Sequence, residues 1–170
     1  AEPYAFSVGR SLGLQSAEVI TASHDHPHHS YVEGVQGSPR VLRGPGEYEI
    51  ANFYITGLGT DRNLSPNERD INTVFSVHAE GMVLCHLGDL NSALSPRQID
   101  ELGAIDILFV PAGGVCTISP SSASELTNLI APRVVVPLHY TIDSVSPGLQ
   151  PLDAFLTGMG VTDPVRQTSL

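Results

Sequence analysis

The sequence predicts a layered α/β fold of the α+β kind, and three observations carry that expectation. The first half consists of short apolar runs separated by Gly, Pro, Asn and Asp, the pattern of strands joined by tight turns. The second half alternates apolar runs with segments that open on Ser95-Pro96 and Ser119-Pro120, a helix-start signal. No internal repeat or low-complexity linker interrupts the 170 residues, so a single domain over residues 1–170 is expected.

Residues 1–17 are rich in Gly and Ser and read as loop. Residues 18–23, with the apolar pair Val19-Ile20, read as a short buried strand delivering a histidine cluster at its C-terminal end. A helical turn over 30–35 and a short strand over 40–43 follow, and Gly44-Pro45-Gly46 marks a turn. Strands are expected over 47–50 and 53–58, joined tightly at Ala51-Asn52, while 61–70 is polar and loop-like. Residues 71–78 and 82–87 form an expected hairpin across Ala79-Glu80-Gly81, ending in Gly88-Asp89. The helix opened by Ser95 carries Gln98 three residues after its cap and should stop at Gly103. Residues 105–110 read as a buried strand closed by Pro111 and Gly113-Gly114. The second helix runs from Pro120 to Ile130, a strand covers 133–137 and leads into Leu138-His139-Tyr140, and a last helix covers 152–157.

Composition narrows the partners. The net charge is -10, and all eight basic residues are arginine. Such acidity argues against a nucleic-acid backbone or an anionic membrane as the main partner. It does not exclude a small anionic substrate, because a bound metal would dominate the local field. Cys85 and Cys116 lack any short-range ligand spacing and read as two reduced, buried thiols of a cytoplasmic protein. No apolar run suits a membrane span, no charged-then-apolar leader is visible, and a start at Ala1 is what a processed or trimmed product would show.

The chemistry concentrates in His24-Asp25-His26-Pro27-His28-His29, which holds four of the seven histidines. Neutral imidazole is a common ligand for zinc and similar ions. In an extended chain His24 and His26 project to one side, and a turn at Pro27 can bring His28 or His29 back toward the same point. A solvated His-rich tract is the plainer alternative. Asp89 follows a strand end, where a carboxylate can bridge metals or orient an imidazole; alone, a Gly-Asp pair is a plain turn. His139 follows an apolar run and reads equally as ligand or core histidine. His86 is expected to be structural and His78 solvated. His24, Asp89, the Pro111-Ala112-Gly113-Gly114 loop and His139 all follow strand ends, where open α/β sheets place ligands.

These residues carry a resemblance. The histidine cluster, Gly44-Pro45-Gly46-Glu47-Tyr48-Glu49, His86-Leu87-Gly88-Asp89-Leu90, Pro111-Ala112-Gly113-Gly114 with Thr117, and Val136-Pro137-Leu138-His139-Tyr140 stand in the order seen in the metallo-β-lactamase superfamily. Within it, the chain resembles the small β-lactamase-like metal-dependent hydrolases from about Glu2 to Phe155. The resemblance implies a four-layer αββα sandwich with a one- or two-metal site at one edge of the sheets. His24 and His26 would hold the first metal, His29 and His139 the second, with Asp89 between them. Zinc is the expected ion, with Mn, Fe or Ni as alternatives. A metal-bound hydroxide would attack a small-molecule ester, lactone, amide or phosphoester, and Gly113 and Gly114 could offer N–H groups to an oxyanion.

Three features depart from the family pattern. His28 stands where the family has Asp, so proton handling would fall to His28 and Asp89. No histidine occurs in residues 55–60, where the family has a further ligand. The family's usual N-terminal strands are missing before Glu2-Pro3, which would leave a sheet edge that a homo-oligomer could cover. A non-catalytic metal-binding or interaction domain on the same fold is therefore the second reading.

Overall fold

The computed structural model describes residue 3 and residues 12–28, 30–62, 71–142 and 148–165. Four short strands come first: β1 (Gln15–Ser16), β2 (Val19–Ala22), β3 (Val35–Gln36) and β4 (Arg40–Arg43), with a 3-10 turn at Val32–Gly34. Then follow β5 (Gly46–Ile50), β6 (Phe53–Asp61), β7 (Ile71–Ala79), β8 (Met82–His86), α1 (Pro96–Leu102), β9 (Ile107–Pro111), α2 (Pro120–Ile130), β10 (Val134–Leu138) and α3 (Asp153–Gly158).

Strands β5 to β10 form one mixed sheet in the order β10-β9-β8-β7-β6-β5. Its β5-to-β8 half is antiparallel, with two-residue turns joining β5 to β6 and β7 to β8. Ala51 and Asn52 (φ 50° and 67°) and Glu80 and Gly81 (φ 51° and 78°) take the left-handed conformations that match hairpin twist. The β8-β9-β10 half is parallel, with α1 and α2 supplying the crossovers. Three strand C-termini therefore emerge side by side. A smaller sheet pairs β2 with β4 in parallel, and β1 pairs with β3.

Side-chain alternation along β7 divides the core in two. Val74 joins the larger cluster, where Cys85, Leu108 and Val110 meet Ile99 and Leu102 of α1, Ala123 and Leu126 of α2, and Phe155 of α3. Phe75 joins the smaller cluster, with Ile55 of β6, Leu42 of β4 and Val19 of β2. The described layers thus run small sheet, large sheet, helices, an α+β sandwich. Each fully buried side chain such as Leu108 contributes about 1.5–3 kcal/mol.

The local signals mostly act as read. Ser95 Oγ accepts from Gln98 N–H at 3.3 Å and Gln98 Oε1 accepts from Ser95 N–H at 2.9 Å, completing the capping box. The helix ends at Gly103, whose φ is 66°. Strand β6 overruns its expected end and reaches Asp61, because Thr60 and Asp61 pair with Asn72 and Ile71 at the start of β7. Strands β1 and β3 arise in stretches without strand patterning; each is a two-residue pairing too short to leave a period. The loop expected over 61–70 lies outside the described residues except for Asp61 and Arg62. No helix among the described residues is long and apolar enough to cross a membrane.

Candidate metal centre

Strand ends position the site. His24 follows β2 and is 7% exposed. Its Nδ1 lies 2.9 Å from Ser23 Oγ, an arrangement that turns Nε2 toward Asp89 Oδ2, 3.6 Å away. An Nδ1–H donated to a second group leaves the other nitrogen as the acceptor face of the ring. The two sheets are laced here, since Thr73 N–H of β7 donates to Ser23 O at 2.8 Å.

Asp89 is 4% exposed, on the turn after β8. Asn72, fully buried on β7, fixes that turn. Its Oδ1 accepts from Asp89 N–H at 2.9 Å, and its Nδ2 donates to Leu87 O at 3.0 Å and to Thr60 Oγ1 at 3.1 Å. Gly88 sits at φ 59°, and a Cβ there would lie 2.3 Å from Asn72 Oδ1, so only glycine fits.

The remaining histidines of the first cluster form a loop held by Ser30. Ser30 Oγ accepts from His26 N–H and donates to His24 O, each at 2.8 Å. The rings of His24 and His26 stand 5.6 Å apart, and those of His26 and His28 5.2 Å. His28 is exposed, and its backbone N–H donates to His26 Nδ1 at 3.2 Å. In this arrangement a neutral His26 carries its proton on Nε2, so ligation through Nε2 needs that bond to be given up. His29, expected to hold a second metal, lies outside the described residues.

The ends of β9 and β10 also meet at Asp89. Ala112 N–H donates to Leu138 O at 2.8 Å, and Gly113 packs so closely that a Cβ would stand 2.2 Å from His139 O. Ile118 N–H donates to Leu90 O at 2.7 Å, binding the loop after β9 to the Asp89 turn. Asp89, Cys116 and His139 each present one donor atom, and the three atoms lie within 4.8 Å of one another.

Cys116 is a correction to the sequence reading: it is half-buried and stands at the site, whereas Cys85 is a fully buried core thiol. No pairwise spacing marked it, though it lies two residues beyond Gly114. Arg62 was also missed. It is 5% exposed, and its NH2 lies 3.7 Å from Asp89 Oδ2. Nothing in its polar sequence context signals burial.

The other candidates fall elsewhere. Asp25 turns outward to an ion pair with Arg43. His86 stacks on Phe109 with centroids 5.9 Å apart, and its Nδ1 accepts from Gly88 N–H at 3.0 Å. His78 is exposed beside Tyr54. Gly113 and Gly114 are buried, and the contact of Gly113 with the His139 backbone gives it a packing role whatever its N–H does.

The donors fit a divalent transition metal. Buried carboxylate, imidazole and thiol are the groups such ions take, whereas harder cations prefer all-oxygen shells. Burial pushes the Cys116 thiol up, and the Asp89 carboxylate pushes it further in the same direction. A cation would relieve that negative field. Beside His24 a cavity of about 290 Å³ opens, lined by Ser23, Asp25, Arg43, Pro45, Ile71 and Thr73 among others.

The chain also matches known proteins. Residues 1–139 match the family described as beta-lactamase superfamily domain. A UPF0173 metal-dependent hydrolase of Anoxybacillus flavithermus is 31% identical over 156 residues, covering 88% of this chain and 69% of that protein. Another, from Natranaerobius thermophilus, is 28% identical over 134 residues, covering 76% of this chain and 54% of that protein. This chain thus spans little more than half of the latter's length. A crystal structure from Thermotoga maritima, of the metallo-β-lactamase superfamily, matches with a TM-score of 0.77 at 35% identity, over 92% of this chain and 73% of that one. The chain belongs to the metallo-β-lactamase superfamily.

Proposed function

We propose that this chain is a metal-dependent hydrolase of a small-molecule ester, lactone, amide or phosphoester. One observation carries the reading: a single buried carboxylate, Asp89, is approached by His24 from one sheet and by His139 from the other. The names of the UPF0173 relatives support it. His24, Asp89 and His139 would hold the cation, with His26 and His29 added from the family pattern, and zinc suits the donors best. Bound there, it supplies Lewis-acid chemistry, lowering the pKa of water and polarising the bond under attack.

The chain's own residues do the rest. Ser23 and Asn72 hold His24 and Asp89 in place, and Arg62 balances the carboxylate charge. His28, exposed beside His26, exchanges protons with solvent. The cavity beside His24 receives the substrate. A cytoplasmic setting agrees with the two free thiols.

The test is turnover of p-nitrophenyl acetate and bis(p-nitrophenyl) phosphate by the zinc-loaded chain, before and after chelation. Hydrolysis should vanish on chelation and return with zinc, and His28→Ala should slow it roughly a hundredfold. A chain that binds metal yet turns over neither substrate supports the second reading, a non-catalytic metal-binding domain. Arg62 favours that alternative, because its guanidinium already places a positive charge 3.7 Å from Asp89.

A further inference from the structure

We infer that Cys116 is a metal ligand, its thiolate completing a three-donor face with Asp89 and His139 that selects thiophilic cations. The inference rests on reading the Asp89 centre as a metal site and adds a residue that neither motif nor spacing assigned.

Three independent segments converge here. Asp89 comes from the turn after β8, Cys116 from the loop after β9, and His139 from the end of β10. Parallel pairing of these strands sets the three ends side by side. Donor atoms of three chemical types then lie within 4.8 Å of one another, the carboxylate among them belonging to a residue only 4% exposed. Carboxylate oxygen, imidazole nitrogen and sulfur match zinc, cobalt or cadmium, and sulfur disfavours manganese or magnesium.

The loop is shaped for this. Cys116 N–H donates to Gly114 O at 3.0 Å, closing a tight turn, and Ile118 N–H anchors the far side on Leu90. Val115 at the tip is exposed with φ 69°, an unfavourable conformation for a β-branched residue, and the chain reverses through it to bring Cys116 back toward Asp89. On binding, the thiol yields its proton to solvent as the metal–sulfur bond forms. Cys85 is an internal control, a fully buried thiol in the helix-side core.

The test loads the chain with cobalt(II) and follows near-ultraviolet absorption, where thiolate-to-cobalt charge transfer is intense. The wild-type chain should show the band, and Cys116→Ser should lose it while still binding cobalt through Asp89 and His139. Cadmium affinity should fall roughly a hundredfold in the variant, with manganese affinity changed little. Alkylation provides a second readout: zinc should shield Cys116 from iodoacetamide in the wild-type chain, mapped by peptide mass. Cobalt bound without the band, or a band that survives Cys116→Ser, overturns the assignment and leaves the hydrolase reading standing. Failure to bind any cobalt overturns both.

Discussion

The two sides of Asp89 are built differently. On one side lie three histidines of one short stretch, His24, His26 and His28, with ring centroids 5.6 and 5.2 Å apart in chain order. On the other lie Cys116 and His139, from segments remote in sequence, with donor atoms gathered within 4.8 Å. The histidine-rich side draws on one stretch of chain, runs from buried His24 to exposed His28, and has His26 Nδ1 already bonded to the His28 backbone; the sparser side gathers its donors from remote segments. Strand geometry, which brings parallel ends together, accounts for the difference better than ligand density along the chain.

The largest expected effect separates the site thiol from the core thiol. Burial pushes Cys85 from 9.0 to about 12. The folded state therefore keeps this proton longer than the unfolded chain does. The stability that results is fully present below pH 9.0 and is lost as pH rises toward 12, by up to about 4 kcal/mol. Urea unfolding across that range should show the loss in the wild-type chain and a flatter profile in Cys85→Ala. Cys116→Ser should leave the Cys85 part of the slope in place.

Gly113→Ala attacks the convergent side alone. A Cβ 2.2 Å from His139 O forces the β9 and β10 ends apart. We expect a destabilisation of about 3 kcal/mol in urea titrations and weaker zinc retention, with the His24 side of the site undisturbed. Asn72→Ala instead loosens the turn that both sides share. It removes a fully buried side chain that holds Asp89 N–H and Leu87 O, and should cost about 2 kcal/mol in the same measurement.

The sequence exposed the frame more readily than the chemistry. Strand ends were visible where an apolar run met a turn residue, which is why His24, Asp89 and His139 could be read as neighbours before their contacts were known. The Ser95–Gln98 capping box and the Glu80-Gly81 turn were equally visible, because their signals are local. Cys116 was hidden because its partners come from other strands and no paired spacing marks a ligand supplied one residue per segment. Arg62 was hidden for a related reason: its burial depends on the extension of β6 along β7, a tertiary effect absent from its own polar neighbourhood. His26 shows the converse. Its spacing from His24 suits a shared metal, while the fold gives its Nδ1 a backbone hydrogen bond from His28.

Metal affinity of Asp89→Asn, measured by zinc titration against a chelating indicator beside the wild-type chain, tests the shared carboxylate most directly. Asparagine keeps the size of the side chain and its backbone bond to Asn72 while removing the charge. Zinc affinity should fall roughly a hundredfold or more with the fold intact by circular dichroism. Unchanged zinc affinity in the folded variant would contradict the account.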